Sequence, residues 1–144
     1  MTVSPLIFCE RTGMWALAWR KSLRATSVRL IETRSPAECL ERLAETPAAA
    51  VSLEWRAENA ESTCEILVRC NDEFPAALAI VTADRGLAGA EALAREAGAA
   101  WFVTSTRQLP ALAAVVCRHL ARQPLAALSL RERIWGQLPW DRAG

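Results

Sequence analysis

The sequence lacks any apolar run long enough to cross a membrane, and it has little excess charge of either sign. Residues 1–10 lack the basic start and long apolar stretch of a secretion signal, and no later run approaches the roughly 20 residues of a spanning helix. Seventeen basic residues oppose sixteen acidic ones, which leaves a formal net charge of +1 and no field to attract nucleic acid. We therefore expect a cytoplasmic protein that binds neither nucleic acid nor a membrane.

The sequence also lacks recognisable catalytic and metal-binding motifs. Its single histidine, His119, cannot form a zinc site or a catalytic triad unaided. Cys64 and Cys70 are spaced to face different sides of a helix, which excludes a CxxC redox motif. Gly86 and Gly89 do not follow the first predicted strand and match no phosphate-binding fingerprint. We expect no catalytic residue, no metal and no cofactor.

The cysteines are odd in number and widely spaced, so a disulfide framework is not predicted. We interpret the thiols as reduced and buried, in a chain of 144 residues that is long enough for one hydrophobic core. The cysteines are Cys9, Cys39, Cys64, Cys70 and Cys117.

Short apolar runs alternate with segments of helical spacing along the whole chain. This alternation predicts a three-layer, doubly wound α/β fold with a parallel five-stranded sheet. Arg29 interrupts the second run, as an edge strand would permit, which favours the strand order 2-1-3-4-5. The predicted strands are residues 6–9, 28–31, 48–53, 77–81 and 99–103.

The predicted helices have individual signals for their starts and buried faces. Thr12 is expected to cap the first helix, whose buried stripe is Trp15, Trp19 and Leu23. Ser35, Pro36 and Glu38 predict the start of the second helix, and the third runs from about Asn59 to just before Pro75. For the fourth we expect Asp84 as the cap, an inner face of Leu87, Ala90, Leu93 and Ala94, and Gly98 as the stop. The fifth begins near Pro110 and turns Leu112, Val116 and Leu120 inward.

The pattern changes after Gln123, where Pro124 can begin a further helix. We therefore divide the chain into a domain over residues 1–123 and a helical tail or partner-contact segment over residues 124–144. Leu128, Trp135 and Trp140 give the tail apolar surface that needs burial, either on the domain or against another chain.

Three segments resemble the receiver domain of two-component signalling. Residues 80–83 resemble the end of a receiver's fourth strand, where Thr82 holds the position of a hydroxyl residue that faces the phosphorylation site. Residues 98–104 resemble the Gly-Ala lead into the fifth strand, and residues 6–10 resemble the first strand running into an acidic residue. The match spans residues 4–122 and implies the flavodoxin-like topology.

The residues that the resemblance assigns to phosphorylation are mostly replaced. The acidic pair that would bind magnesium falls on Glu10 and Arg11, and the acceptor aspartate falls on Leu53 or Glu54. The lysine and proline after the fifth strand fall on Ser105 and Thr106. Only Thr82 keeps its type, so we expect no aspartyl phosphorylation. Arg11 paired with Glu10 or Glu54 could instead take the place of the metal.

The resemblance therefore implies a degenerate pseudo-receiver that acts as a protein-protein interaction or signalling module. Receivers dimerise through helix four, strand five and helix five, so we expect a partner protein, either a second copy or a regulatory protein, on that face and the tail. The alternative is a small ligand-binding domain or enzyme with Glu10, Glu54, Thr82 and Ser105 lining a pocket at the strand ends. The interface candidates are Leu87, Leu93, Trp101, Leu112, Val116, Leu128, Trp135 and Trp140.

Overall fold

The computed structural model describes the chain over residues 4–126, with side chains as far as residue 122. Five parallel strands form one sheet in the order β2-β1-β3-β4-β5, which confirms the predicted topology and the edge position of the second strand. The strands are β1 Leu6–Cys9, β2 Leu30–Thr33, β3 Ala50–Trp55, β4 Leu78–Ala83 and β5 Trp101–Val103.

Both central strands end two residues later than their apolar runs indicated. The run at residues 48–53 stops before a charged residue, but in the sheet Glu54 pairs with Thr82 and Trp55 pairs with Ala83. Strand pairing in the parallel ladder, rather than local hydrophobicity, sets where β3 and β4 end. As a result, β3 carries Glu54 to the carboxyl edge of the sheet.

Helices cover both faces of the sheet. Short 3-10 turns precede α3, α4 and α5, at Ala57–Asn59, Arg85–Ala90 and Thr106–Gln108. The Ser35 side chain accepts a 3.2 Å hydrogen bond from the Glu38 N–H at the start of α2, as predicted. The helices are α1 Met14–Ser22, α2 Pro36–Glu45, α3 Ala60–Glu73, α4 Glu91–Ala97 and α5 Leu109–Ala126.

Alternate side chains of each strand enter two separate cores. On one face, Leu53 and Val81 pack beneath α2, α3 and α4. On the other face, Phe8 and Ile80 pack beneath α1 and α5, together with Trp19. This two-residue alternation decides which strand side chains meet at the sheet edge.

Several local predictions are wrong. Gly13 rather than Thr12 occupies the cap position of α1, with a left-handed φ of 78°. Leu93 is 52% exposed and so does not belong to the inner face of α4, because the 3-10 turn before the helix rotates it away from the register that an uninterrupted helix would have. Helix α5 continues through Pro124 to Ala126, so Pro124 does not begin a separate helix.

Within residues 4–126, no helix is both long enough and apolar enough to span a bilayer. The tail residues Leu128, Trp135 and Trp140 lie outside the described residues.

Candidate functional site at the carboxyl edge of the sheet

The structure separates the two candidates for the acceptor position. Leu53 is 1% exposed and belongs to the core beneath α2 to α4. The side chain of Glu54, the next residue, lies on the opposite face of the strand. Its carboxylate is at the edge of the sheet, where Arg11 and Thr12 contact it. Of the two candidates, Glu54 is therefore the one that presents its side chain at the carboxyl edge of the sheet.

Both oxygens of the Glu10 carboxylate accept hydrogen bonds from the start of α1. Its Oε2 accepts a 3.0 Å hydrogen bond from the Trp15 N–H, and its Oε1 accepts one from the Ala16 N–H. These donors are among the first backbone N–H groups of the helix, which have no partner within it. Burial raises the pKa of Glu10 despite these two hydrogen bonds. Glu10 thus performs the capping role that was predicted for Thr12.

The Glu54 carboxylate is surrounded by donors from its own chain. Oε1 accepts a 3.3 Å hydrogen bond from the Arg11 N–H, and Oε2 accepts one of 3.3 Å from the Thr12 hydroxyl. The guanidinium Nη1 of Arg56 lies 3.8 Å from Oε1. Because the Glu54 side chain is only 7% exposed, these contacts replace most of its hydration.

The cation beside Glu54 is therefore Arg56 and not Arg11, which corrects the predicted pairing. The Arg11 side chain is exposed and, in the described part of the chain, makes no ion pair with Glu10 or Glu54. It is the backbone N–H of Arg11 that contacts Glu54, while its carbonyl accepts a 3.4 Å hydrogen bond from Arg34. The guanidinium in the corner comes from the loop after β3.

Sequence reasoning missed Arg56, whose position depends on the turn between β3 and α3. The Asn59 side chain accepts a 2.7 Å hydrogen bond from the Arg56 N–H and donates one of 3.1 Å to the Glu54 carbonyl. Arg56 also forms a 2.9 Å ion pair with Glu58. The sequence signal that could have identified Arg56 was its position two residues after the candidate acceptor, followed by an asparagine able to close the turn.

Thr82 and Ser105 lie at the same edge, but their hydroxyl groups are hydrogen-bonded to backbone groups. The buried Thr82 hydroxyl donates a 3.5 Å hydrogen bond to the Leu53 carbonyl. The Ser105 hydroxyl accepts a 3.3 Å hydrogen bond from the Arg107 N–H and caps the 3-10 turn that follows β5. At the position where the resemblance places a lysine, the chain therefore has a capping serine.

A cavity of about 240 Å³ opens beside this corner, on the side of α2 and α3. Glu10 and Glu54 contribute to its wall, whereas Thr82 and Ser105 do not. The strands that contribute to this wall are β1 and β3, and β4 and β5 follow β3 toward the other edge of the sheet. The wall consists of Cys9, Glu10, Arg11, Arg34, Ser35, Pro36, Leu53, Glu54, Asn59, Ser62, Thr63 and Ile66.

The residues of the corner do not fit a magnesium ion. Mg²⁺ requires near-octahedral oxygen ligands and is held by carboxylates with free lone pairs. Here the Glu10 oxygens accept backbone N–H bonds, and the Glu54 oxygens accept hydrogen bonds from Arg11 and Thr12 with the Arg56 guanidinium 3.8 Å away. Among the residues with described positions, no group of three or more His, Cys, Asp or Glu side chains could hold a metal ion.

Comparison with solved structures identifies the fold. A CheY-like protein (tadZ) from Pseudomonas aeruginosa aligns with a TM-score of 0.65 at 18% identity, over 81% of this chain and 99% of that chain. A response regulator from Thermotoga maritima aligns with a TM-score of 0.67 at 17% identity, over 83% of this chain and 99% of that one. The chain has the CheY-like receiver fold.

A third similar structure is a putative pilus assembly-related protein from Burkholderia pseudomallei. This protein aligns with the receiver-like domain at a TM-score of 0.62 and 15% identity, over 83% of this chain and 90% of that chain. No protein-family model and no curated protein matches the sequence. At these identities the similarity establishes the fold of the receiver-like domain, and its function has to be argued from its own residues.

The structure divides the predicted interface residues into exposed and buried groups. Leu93 and Trp101 are 52% and 41% exposed, and Leu87 is half-buried against the α2 to α4 core. Leu112 and Val116 are buried in the other core, which corrects their assignment to an interface. They form the inward stripe of α5, and the same residues cannot also face a partner.

Proposed function

We propose that this receiver-like domain is an interaction module that works without aspartyl phosphorylation. The observation that carries the proposal is the state of its two edge carboxylates: Glu10 caps α1 and Glu54 contacts Arg56. Phosphoryl transfer to a carboxylate needs an adjacent divalent cation to offset the charge of the phosphate. Removing Glu10 from the helix start would uncover two backbone donors, so metal binding would compete with folding.

Treatment of the purified chain with acetyl phosphate and Mg²⁺ tests this proposal. We expect no added phosphoryl mass and no Mg²⁺-dependent change in tryptophan fluorescence, with Trp55→Phe identifying the signal of the tryptophan beside Glu54. A phosphorylatable receiver treated in parallel serves as the positive control. Phosphoryl transfer to Glu54, or saturable Mg²⁺ quenching that Trp55→Phe removes, would contradict the proposal.

The partner is a protein, with a second copy of this chain as the first candidate, bound through the surface formed by α4 and β5. Leu93 and Trp101 are large apolar side chains left exposed on these elements. The Arg95 side chain of α4 donates a 3.1 Å hydrogen bond to the carbonyl of Ala100, the residue before β5. The tail after Ala126, with Leu128, Trp135 and Trp140, is proposed to extend this surface.

Light scattering on wild type, Leu93→Asp and Trp101→Asp tests self-association. We expect a dimer that either substitution dissociates, and that deletion after Ala126 weakens. Leu17→Asp is the matched control, because Leu17 is 70% exposed on α1, away from α4 and β5. A monomeric wild type, or a dimer lost only in the control variant, would contradict this arrangement.

The alternative, a small-molecule site at the strand ends, has less support. The cavity of about 240 Å³ is smaller than the roughly 300 to 1,000 Å³ of most ligand pockets, so a flavin or dinucleotide would not fit within it. A raised melting temperature with flavins, nucleotides or cyclic dinucleotides would reverse this preference. We propose a cytoplasmic location, in keeping with the free thiols of the described cysteines.

A further inference from the structure

The net charge of +1 conceals a separation of charge between the two faces of the sheet. Helices α1 and α5, which cover one face, contain no acidic residue over Met14–Ser22 and Leu109–Ala126. Of the cations on this face, only Arg20 forms an ion pair in the described part of the chain, with Glu32 at 2.7 Å. The exposed cations of the two helices and of the residues that flank them are Arg20, Lys21, Arg24, Arg107, Arg118 and Arg122.

The opposite face, covered by α2, α3 and α4, is acidic. Acidic residues outnumber basic ones in each of these helices. Their arginines, Arg42, Arg69 and Arg95, each pair with a glutamate of the same helix. The domain therefore has a basic face and an acidic face, although the totals of the two charges nearly balance. Among the described residues, the carboxylates of these helices that remain outside an ion pair are Glu38, Glu41, Glu61, Glu65, Asp72 and Glu96.

The basic face contains an open groove of about 980 Å³, between α1 and the start of α5. Leu17 and Met14, which are 70% and 50% exposed, lie on its α1 side. Arg107 and Pro110 form its other side. Spacings of three and four residues place Met14, Leu17 and Lys21 on one outward stripe of α1. The groove therefore offers apolar contact beside positive charge.

The outward stripe of α3 has the complementary character. Val68 is 46% exposed in the middle of this acidic helix. Glu61, Glu65 and Asp72 lie on the same stripe as Val68, at spacings of three and four residues, and all three are exposed. An exposed apolar side chain between carboxylates is the counterpart of an apolar groove between cations.

The spacing of the two stripes matches when the helices run antiparallel. At a rise of about 1.5 Å per residue, Lys21 lies about 6 Å along α1 from Leu17, and Glu65 lies about 4.5 Å along α3 from Val68. Contact between Leu17 and Val68 therefore brings Lys21 opposite Glu65. Because α1 and α3 cover opposite faces of one sheet, they cannot meet within a chain, and the contact requires a second molecule.

We propose that the basic groove along α1 binds the acidic α3 face of a second copy of this chain. This contact is heterologous because it joins two different surfaces, so each pair keeps a free groove and a free acidic face, and further copies can add. Exposed ion pairs are weak and are screened by salt, so the assembly forms at low ionic strength and dissociates as salt is added. The contact is separate from the proposed α4 and β5 surface and does not depend on it.

Light scattering of the full chain at about 20 mM and about 500 mM salt tests the proposal. At low salt we expect a mass that rises with protein concentration to at least about twice the high-salt mass. The double variants Lys21→Glu with Arg24→Glu, and Glu61→Lys with Glu65→Lys, should each abolish this rise. Arg29→Glu is the matched control and should assemble as the wild type does, since Arg29 is exposed just before β2 and belongs to neither stripe.

An equimolar mixture of the two double variants tests whether the two faces recognise each other. Each variant keeps one native face, so the mixture should regain growth at low salt although neither variant grows alone. Leu17→Asp should abolish growth by placing a charge in the apolar part of the groove. Leu93→Asp and Trp101→Asp, which test the α4 and β5 surface, should leave the salt-dependent growth unchanged, so that failure of one contact is distinguished from failure of the other.

The wild-type measurement decides the question even where a variant fails to fold. A wild-type mass that does not depend on salt would overturn the proposal, as would growth that persists in either double variant. A mixture that does not assemble, from variants whose circular dichroism matches that of the wild type, would also overturn it. So would a chain that stays unassembled at low salt but binds duplex DNA or phosphatidylserine vesicles through Lys21 and Arg24, since the basic face would then serve a different polyanion.

Discussion

The indole Nε1 of Trp19 donates a 3.0 Å hydrogen bond to the hydroxyl of Ser52, which joins α1 to the middle of β3 inside the core. Trp19 is 0% exposed and Ser52 is 3% exposed, so neither group can exchange this partner for water. A buried polar pair of this kind fixes the orientation of the indole against the sheet. It also places α1 so that its first N–H groups meet Glu10.

Ser52→Ala should reduce the free energy of unfolding by about 1 to 3 kcal/mol, because the Trp19 N–H is then buried without an acceptor. Urea unfolding followed by circular dichroism measures the loss. Ser62→Ala is the control, since Ser62 is exposed on α3 and should change stability by less than about 0.5 kcal/mol. Equal effects of the two substitutions would show that the Trp19 to Ser52 bond contributes nothing measurable.

Glu10→Ala should destabilise the domain by about 2 kcal/mol, because two N–H groups at the start of α1 lose their acceptor. Glu41→Ala, on the exposed face of α2, provides the control. Far-ultraviolet circular dichroism during denaturant unfolding measures both. A Glu10 variant as stable as its control would refute the capping role, and with it the main argument against metal binding.

Glu10 also predicts a direction of pH dependence. Burial raises the pKa of Glu10 above its ordinary value of 4.5, so folding favours the protonated carboxyl. The contribution of this titration to stability is complete below 4.5 and is lost as the pH rises through the raised pKa. The stability lost in Glu10→Gln should therefore be smaller at neutral pH than at low pH. A loss that grows as the pH rises would contradict the direction of this shift.

His119 should give the opposite pH dependence. Burial lowers its pKa below 6.5, although its Nε2 lies 3.0 Å from the Ala48 carbonyl. Folding then favours the neutral ring, so its contribution to stability is present above 6.5 and is lost as the pH falls through the lowered pKa. Denaturant midpoints from about pH 8 to about pH 5 should decline more for wild type than for His119→Gln. Parallel curves would rule out this coupling.

Gly98→Ala should destabilise the domain by about 1 to 3 kcal/mol. Gly98 ends α4 with a φ of 123°, and an added Cβ would lie 3.1 Å from the Asn71 Cβ. Gly89→Ala is the matched control, since Gly89 has no positive φ and no atom within 4 Å of an added Cβ. Thermal unfolding should separate the two variants by several degrees. Equal melting temperatures for the two variants would show that a Cβ at Gly98 causes no strain at the end of α4.

Local sequence signals were sufficient to predict the helices and strands and much of the hydrophobic core. The spacing of Trp15 and Trp19 predicted a buried stripe, and both side chains are buried on α1. Ser35 and Glu38 predicted the start of α2, because a cap involves residues only a few positions apart. The alternation of five apolar runs with helical segments predicted the topology, although Arg29, the charge that indicated an edge strand, lies just before β2 and not within it.

Contacts between distant residues were decided only by the tertiary structure. Sequence left Leu53 and Glu54 equal as acceptor positions, whereas in the sheet Leu53 is buried and Glu54 lies at the edge, because successive strand residues face opposite sides. It also assigned the corner cation to Arg11, whereas the turn closed by Asn59 brings Arg56 there. The sequence by itself determined the helices, strands and buried stripes, since these depend on near neighbours. Which charged groups meet depends on how the elements pack, and that determined the chemistry of the corner.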